Sequence, residues 1–279
     1  MSIGLNTRRH GRKRRRRPQD GEIHRGTYIL PNLFTTANMF CGFFGMVNSF
    51  DGHYQTAAVA ILASCLFDIL DGKVARLVGA TSRFGVEYDS LADLVAFGVG
   101  PAVLMYMWAL KPFGRLGWLA AFLFMACGAL RLARFNVQVD TVSKKYFVGL
   151  PIPGAACMVS TIVLFASQWK IPYVPEHSIM LLITTYVLGF LMVSNIPYNS
   201  LKELEMLRGK LLPTLFLLLV LITVVAAKPH VMLFSLFLAY VVSGPLTLLV
   251  KRYRERRSVG QLPSTVGNEP EPMTSTKDD

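Results

Sequence analysis

Between residues 68 and 93 the chain reads DILDGKVARLVGATSRFGVEYDSLAD, which sets four carboxylates, Asp68, Asp71, Asp89 and Asp93, into two close pairs. At helical spacing Asp68 and Asp71 (i, i+3) share one face, and so do Asp89 and Asp93 (i, i+4). Of 17 Asp and Glu residues, these four are the ones embedded in apolar stretches. An aspartate at the centre of a bilayer costs about 2.5–3.5 kcal/mol, so four that converge need a cationic partner. Lys73 and Arg76 are near in sequence, but two monovalent charges neither balance four carboxylates nor use their oxygens as ligands. Hard divalent ions, Mg²⁺ or Mn²⁺, match both the charge and the ligand type, and the site is expected to take two of them.

The elements that carry these pairs are expected to be membrane helices. Hydrophobic residues make up 52% of the 279, charged residues 16%, and the mean hydropathy is +0.42, which argues against a water-soluble globule. Eight apolar runs have the length needed to cross roughly 30 Å of hydrocarbon, about 20 helical residues each. They fall near 28–50, 54–78, 89–110, 116–135, 150–168, 178–196, 212–227 and 231–250. The runs lack the alternation of barrel strands, and lipid admits only helices or closed barrels. The expectation is an all-α polytopic membrane protein of about eight transmembrane helices. One membrane domain spans 28–250, preceded by a basic arm, 1–27, and followed by a polar tail, 251–279.

Charge distribution orients these spans. With the N-terminus inside, 24 Lys and Arg fall on the inner side and four, Lys111, Arg115, Lys170 and Lys228, on the outer side. That asymmetry follows the positive-inside rule and puts both ends in the cytoplasm. It also puts the acidic pairs at the inner ends of the second and third spans. The arm RRHGRKRRRR at 8–17, directly before a span, fits anionic lipid headgroups rather than nucleic acid. Cys41, Cys65, Cys127 and Cys157 all fall inside spans with no CxxC spacing and read as small buried apolar residues. None of the five histidines lies in a span core, so a buried general base is not expected to be histidine.

A short cytoplasmic connection over about 79–88 makes the second and third spans antiparallel neighbours, so the two acidic pairs can meet. Gly72, directly after Asp71, lets a ligand approach the helix backbone. Arg76, one turn further, offers a guanidinium suited to bidentate contact with phosphate. Carboxylates, cations, an arginine and a glycine together point to a pyrophosphate site at the inner membrane surface.

The pattern D-x2-D-G-x2-A-R-x8-G-x3-D-x3-D runs through Asp68, Asp71, Gly72, Ala75, Arg76, Gly85, Asp89 and Asp93. It resembles the signature of the CDP-alcohol phosphatidyltransferase family at all eight positions. Three further stretches, PNLFTTANMFCGF at 31–43, ALRLARFN at 129–136 and GLPIPGAA at 149–156, are similar to the branch that transfers the phosphatidyl group of CDP-diacylglycerol to L-serine. The resemblance covers roughly the first 160 residues. It implies that Asp68 and Asp89 contact both metal ions, Asp71 the first and Asp93 the second, and that Asp93 also accepts the serine hydroxyl proton. It implies CDP-diacylglycerol contacts from Gly72, Arg76, Ser82 and Gly85, with Pro31, Asn32, Thr35 and Thr36 at the nucleotide end. A homodimer in the bacterial cytoplasmic (inner) membrane, with its active site on the cytoplasmic face, is implied as well.

The acceptor side has a weaker signal. Arg131 and Arg134 stand i, i+3 at the inner end of the fourth span, with Asn136 following, and the carboxylate of a free amino acid suits such guanidinium groups. Lys144 and Lys145, near the same mouth, read as inside-facing anchors. Two other functions remain open at this level: the same chemistry with choline, inositol or glycerol 3-phosphate as acceptor, and an ion-coupled transporter, since intramembrane acids also mark ion pathways.

Overall fold

In the computed structural model of the chain, the described residues are 29–78, 82–138, 147–168, 175–198 and 228–259. The basic arm, the run expected at 212–227, Lys144, Lys145 and the tail beyond 259 lie outside them. The first helix, α1 (Ile29–Phe50), is organised by a seam. Its buried residues, Pro31, Thr35, Asn38, Gly42, Gly45 and Ser49, recur at steps of three and four along one face. All are small or polar, whereas Phe40, Phe43, Phe44 and Phe50 on the remaining surface are exposed. A bilayer imposes this inversion of the soluble pattern: lipid is as apolar as leucine, so helices associate through small side chains that let backbones approach. A methyl group at Gly42 would overlap the backbone of Ala96.

Along α1 runs α2 (Tyr54–Val78), which buries Ala57, Ala58, Ile61 and Ser64 and exposes Leu66, Ile69, Leu70 and Leu77. The next helical path, Arg83–Phe113, is long and apolar enough to cross a membrane but is not uniform. It comprises α3 (Arg83–Asp93), a wide π turn at Leu94–Val99, α4 (Gly100–Met105), a second π turn at Tyr106–Leu110 and a closing 3₁₀ turn. Ser82 caps α3: its Oγ accepts the Gly85 N–H at 2.9 Å. The helix therefore starts at Arg83, not at the residue 89 that the apolar run marks, and the connection from α2 is correspondingly shorter. Hydropathy does not register a polar opening to a helix, whereas capping chemistry does.

Four more helices complete the described fold: α5 (Arg115–Gln138), α6 (Ile152–Gln168), α7 (Pro175–Val193) and α8 (Pro229–Val259). At the centre stands α6, buried continuously from Gly154 to Thr161, between α2 and α8, while α5 packs against α7. The GLPIPG stretch that opens α6 is latched to the end of α7. Phe147 and Val148 pair with Tyr198 and Pro197 in a two-residue antiparallel ladder. The N–H groups of Gly149 and Leu150 then bond the carbonyls of Ile196 and Leu191, at 2.9 and 3.0 Å. Gly149 sits at φ 84°, where an L side chain is strained and would also meet the Met192 carbonyl. The four cysteines are free, and Cys65 and Cys157 touch across α2 and α6 at 3.1 Å.

Apart from that ladder and short connections the described residues are helical. Among them, three helices are long and apolar enough to span a bilayer: Arg83–Phe113, Arg115–Val137 and Pro229–Val250. Two shorter apolar helices, Ile152–Gln168 and Ile179–Val193, accompany them.

Candidate active site

Three helices build the acidic cluster: the first half of α1, the closing turns of α2 and the second half of α3. Asp68, Asp71 and Asp89 each present a carboxylate oxygen, and these atoms lie within 4.8 Å of one another. Asp71 is only 4% exposed, and Asp89 Oδ1 is buried with no hydrogen-bond partner. The Thr35 hydroxyl lies 3.2 Å from Asp71 Oδ2 and the same distance from the Pro31 carbonyl, so its one proton serves either. One turn along α3, the Asp93 carboxylate feels the charges of Asp68 and Asp89 and accepts a bond from Asn38 Nδ2 at 3.0 Å.

Among the described residues, Thr35 and Asn38 are the side-chain donors to this cluster, and both are neutral. Packed carboxylates out of bulk water repel strongly, and among the described residues no cation lies within hydrogen-bond reach of them. The orphaned Asp89 oxygen and the all-oxygen donor set fit a hard divalent cation held by Asp68, Asp71 and Asp89.

Beside the cluster is a cavity of about 100 Å³ whose wall includes Asn32, Thr35, Gly72, Ser82, Gly85 and Asp89. Sites that enclose a whole small molecule run to roughly 300–1,000 Å³, so this one has room for only part of such a molecule. A methyl group at Gly72 would meet only the Arg76 guanidinium, 3.9 Å away, so one wall is open backbone. A methyl at Gly85 would come to 3.2 Å from Ser82 Oγ and 3.7 Å from Asn32 Oδ1, so glycine keeps the space between cap and amide clear. The N-terminus of α3, with its capping hydroxyl, gives this space the polarity that anions prefer.

Other expected residues lie close by but are engaged differently. Arg76 is exposed, and its Nε folds back onto the Gly72 carbonyl at 2.8 Å, leaving the guanidinium edge to the rim. The Thr36 hydroxyl bonds the Asn32 carbonyl at 2.7 Å and lies 2.9 Å from Tyr88 Oη. On α5 the three candidate acceptor residues diverge. Arg134 donates to Asn195 Oδ1 at 3.0 Å on an exposed surface. Asn136 Nδ2 donates to Ser90 Oγ at 3.0 Å. Arg131 alone turns inward, with Nε buried and unpartnered and its charge within reach of Asp93 and of Tyr240 on α8. Arg131 and Asn136 are five residues apart, more than one turn, so they face different neighbours.

Sequence reasoning missed two residues. Tyr88 precedes Asp89 and reaches back to α1. Asn38 is fully buried on the α1 seam, and the signal for it was an amide on the face otherwise occupied by Gly, Ser, Thr and Pro. A larger cavity of about 380 Å³ opens elsewhere, lined by His53, Tyr54, Gln55, Trp108 and Ser167 among others, and contains no acidic residue.

Residues 28–193 match the family model described as CDP-alcohol phosphatidyltransferase. The CDP-diacylglycerol–serine O-phosphatidyltransferase of Helicobacter pylori (strain ATCC 700392 / 26695) is 38% identical over 226 residues, covering 80% of this chain and 94% of that protein. The Bacillus subtilis (strain 168) protein of the same name is 36% identical over 175 residues, 62% of this chain and 92% of its own. The archaetidylserine synthase of Methanothermobacter thermautotrophicus is 42% identical over 137 residues, 48% of this chain and 58% of its own. Helices that turn large apolar side chains outward around a polar cluster, and matched relatives across most of the length, lead to one assignment: the chain is an integral membrane protein of the CDP-alcohol phosphatidyltransferase family.

Proposed function

We propose that this chain makes phosphatidylserine, transferring the phosphatidyl group of CDP-diacylglycerol to the hydroxyl of L-serine with release of CMP. The observation that carries the reading is the convergence of Asp68, Asp71 and Asp89 within 4.8 Å beside the capped start of α3. The names of the matched relatives differ in lipid, phosphatidyl or archaetidyl, yet share serine, which supports serine as the acceptor here. An inward Arg131 with an unpartnered Nε supports it too, since a serine carboxylate is the kind of group that satisfies such a donor.

In this reading Asp68, Asp71 and Asp89 hold Mg²⁺ or Mn²⁺, with Asp93 completing a second position. Bound there, such ions would supply the positive charge that a diphosphate and its leaving group need. The remaining work belongs to side chains. Ser82, Gly85 and the α3 N-terminus receive the phosphate part of CDP-diacylglycerol, Gly72 lets it approach the α2 backbone, and Arg76 closes the rim. Asn32, Thr35 and Thr36 line the nucleotide end. Arg131 orients serine through its carboxylate. As the serine oxygen bonds to the lipid-linked phosphorus and the bond to CMP breaks, Asp93 takes the hydroxyl proton. Arg134 and Asn136 act at the edge of the acceptor pocket, holding its walls through Asn195 and Ser90.

The same reading includes about eight spans with both ends in the cytoplasm of a bacterial inner membrane, an active site at the cytoplasmic face, a homodimer, and a basic arm on anionic lipid. The test supplies purified protein, Mg²⁺ or Mn²⁺ and CDP-diacylglycerol with separately labelled serine, choline, inositol and glycerol 3-phosphate. Label is expected in lipid from serine, together with stoichiometric CMP. Label from another acceptor in place of serine would refute the assignment.

A further inference from the structure

We propose that Asn38, a residue of α1 outside the acidic signature, is the positioning residue for Asp93; the inference rests on the reading of Asp93 as the group that takes the serine proton. Asn38 Nδ2 donates to Asp93 Oδ1 at 3.0 Å. The amide is oriented by chemistry, because an ionised carboxylate has no proton to give and its partner must be the NH₂ end. Asn38 has no exposed surface, and its own Oδ1 is buried without a partner.

That orphaned carbonyl separates two explanations. A side chain kept only for packing on this seam would be Gly, Ala, Ser or Thr, which fill the space or satisfy themselves on the helix backbone, as Thr35 and Ser49 do. An amide with one end unsatisfied in a buried helix interface is a poor choice for stability. Its other end is what it contributes, a fixed donor to one oxygen of Asp93. With Oδ1 held, the direction of Oδ2 is fixed, and the carboxylate does not need to be reoriented as the reaction proceeds.

The backbone supports the same role. One turn beyond Asn38 on α1 is Gly42, and one turn beyond Asp93 is Ala96; these two residues meet so closely that a methyl at Gly42 would overlap the Ala96 backbone. The glycine contact sets the separation of the two helices at the level where the amide must reach the carboxylate. Asn38 and Gly42 thus form a gauge for Asp93, built from α1.

The test uses the full chain in detergent with CDP-diacylglycerol and labelled serine, and compares Asn38→Ala and the isosteric Asn38→Asp with wild type. Both are expected to lower kcat by about 10- to 100-fold, the range typical of groups that orient a metal-site or catalytic side chain. KM for CDP-diacylglycerol is expected to stay within about threefold, and the melting temperature in EDTA within a few degrees of wild type. A purely structural asparagine would move the melting temperature instead. Asn48→Ala, at the far end of the same helix, serves as the control and is expected to keep wild-type turnover. A kcat within about threefold of wild type for both Asn38 variants overturns the proposal. So does recovery of neither variant in folded form, which would make Asn38 a structural residue. Asp93→Asn is measured alongside: if it turns over normally, the reading of the base fails and this inference with it. If Asp93→Asn is inactive while Asn38→Ala is not, the inference alone fails.

Discussion

The acidic end of α2 and α3 and the basic end of α5 sit at the same mouth of the protein, yet they are built by opposite rules. At the acidic end, three carboxylates approach within 4.8 Å, and among the described residues one neutral side chain, Thr35, donates to them. At the basic end, two of the three candidates bond within the chain, Arg134 to Asn195 and Asn136 to Ser90, and Arg131 has a buried Nε with no partner. Arg134 and Asn136 are thus tied to other parts of the fold, whereas the Nε of Arg131 is not.

The largest expected effect breaks the acidic side. Asp89→Asn removes one charge with little change of shape, and CMP release is expected to fall by about 10³-fold or more; residual activity above a tenth of wild type would mean that Asp89 is not a ligand. The next sharpens the contrast within α5. Arg131→Ala is expected to raise KM for serine about 10- to 100-fold, the loss of a charge-assisted bond, while Arg134→Ala shifts it by no more than about threefold. Equal effects would erase the distinction drawn from their partners. The smallest concerns the cavity wall. Gly85→Ala brings a methyl to 3.2 Å from Ser82 Oγ, and KM for CDP-diacylglycerol is expected to rise a few-fold with KM for serine unchanged.

These two ends also differ in how far they were legible in the sequence. The acidic pairs lie at i, i+3 and i, i+4, so helix geometry alone puts each pair on one face, and a short connection brings the pairs together. Nothing local carries the rest. Arg131 and Arg134 have the same i, i+3 spacing, but their fates are set by Asn195, 61 positions from Arg134, and by a helix beginning at Pro229. Asn38 is 55 positions from Asp93, and its meaning arises only when α1 and α3 touch. The helical character of the described spans followed from apolar run length. The start of α3 did not, because Arg83 to Tyr88 carry polar and charged residues that hydropathy discounts, and the cap at Ser82 becomes clear only with its hydrogen bond.

The wide turn at Leu94–Val99 follows directly on Asp93, and such a turn amounts to one residue inserted into a regular helix. Each residue advances a helix by about 100°. The insertion therefore sets the azimuth of everything upstream relative to the apolar half that anchors the helix among its neighbours. Shortening this turn by one residue would restore ordinary winding and swing Asp89 and Asp93 about 100° around the axis, away from Asp68 and Asp71. The aim of the carboxylates is thus encoded by chain length between them and the bilayer interior, a parameter that no single side chain carries.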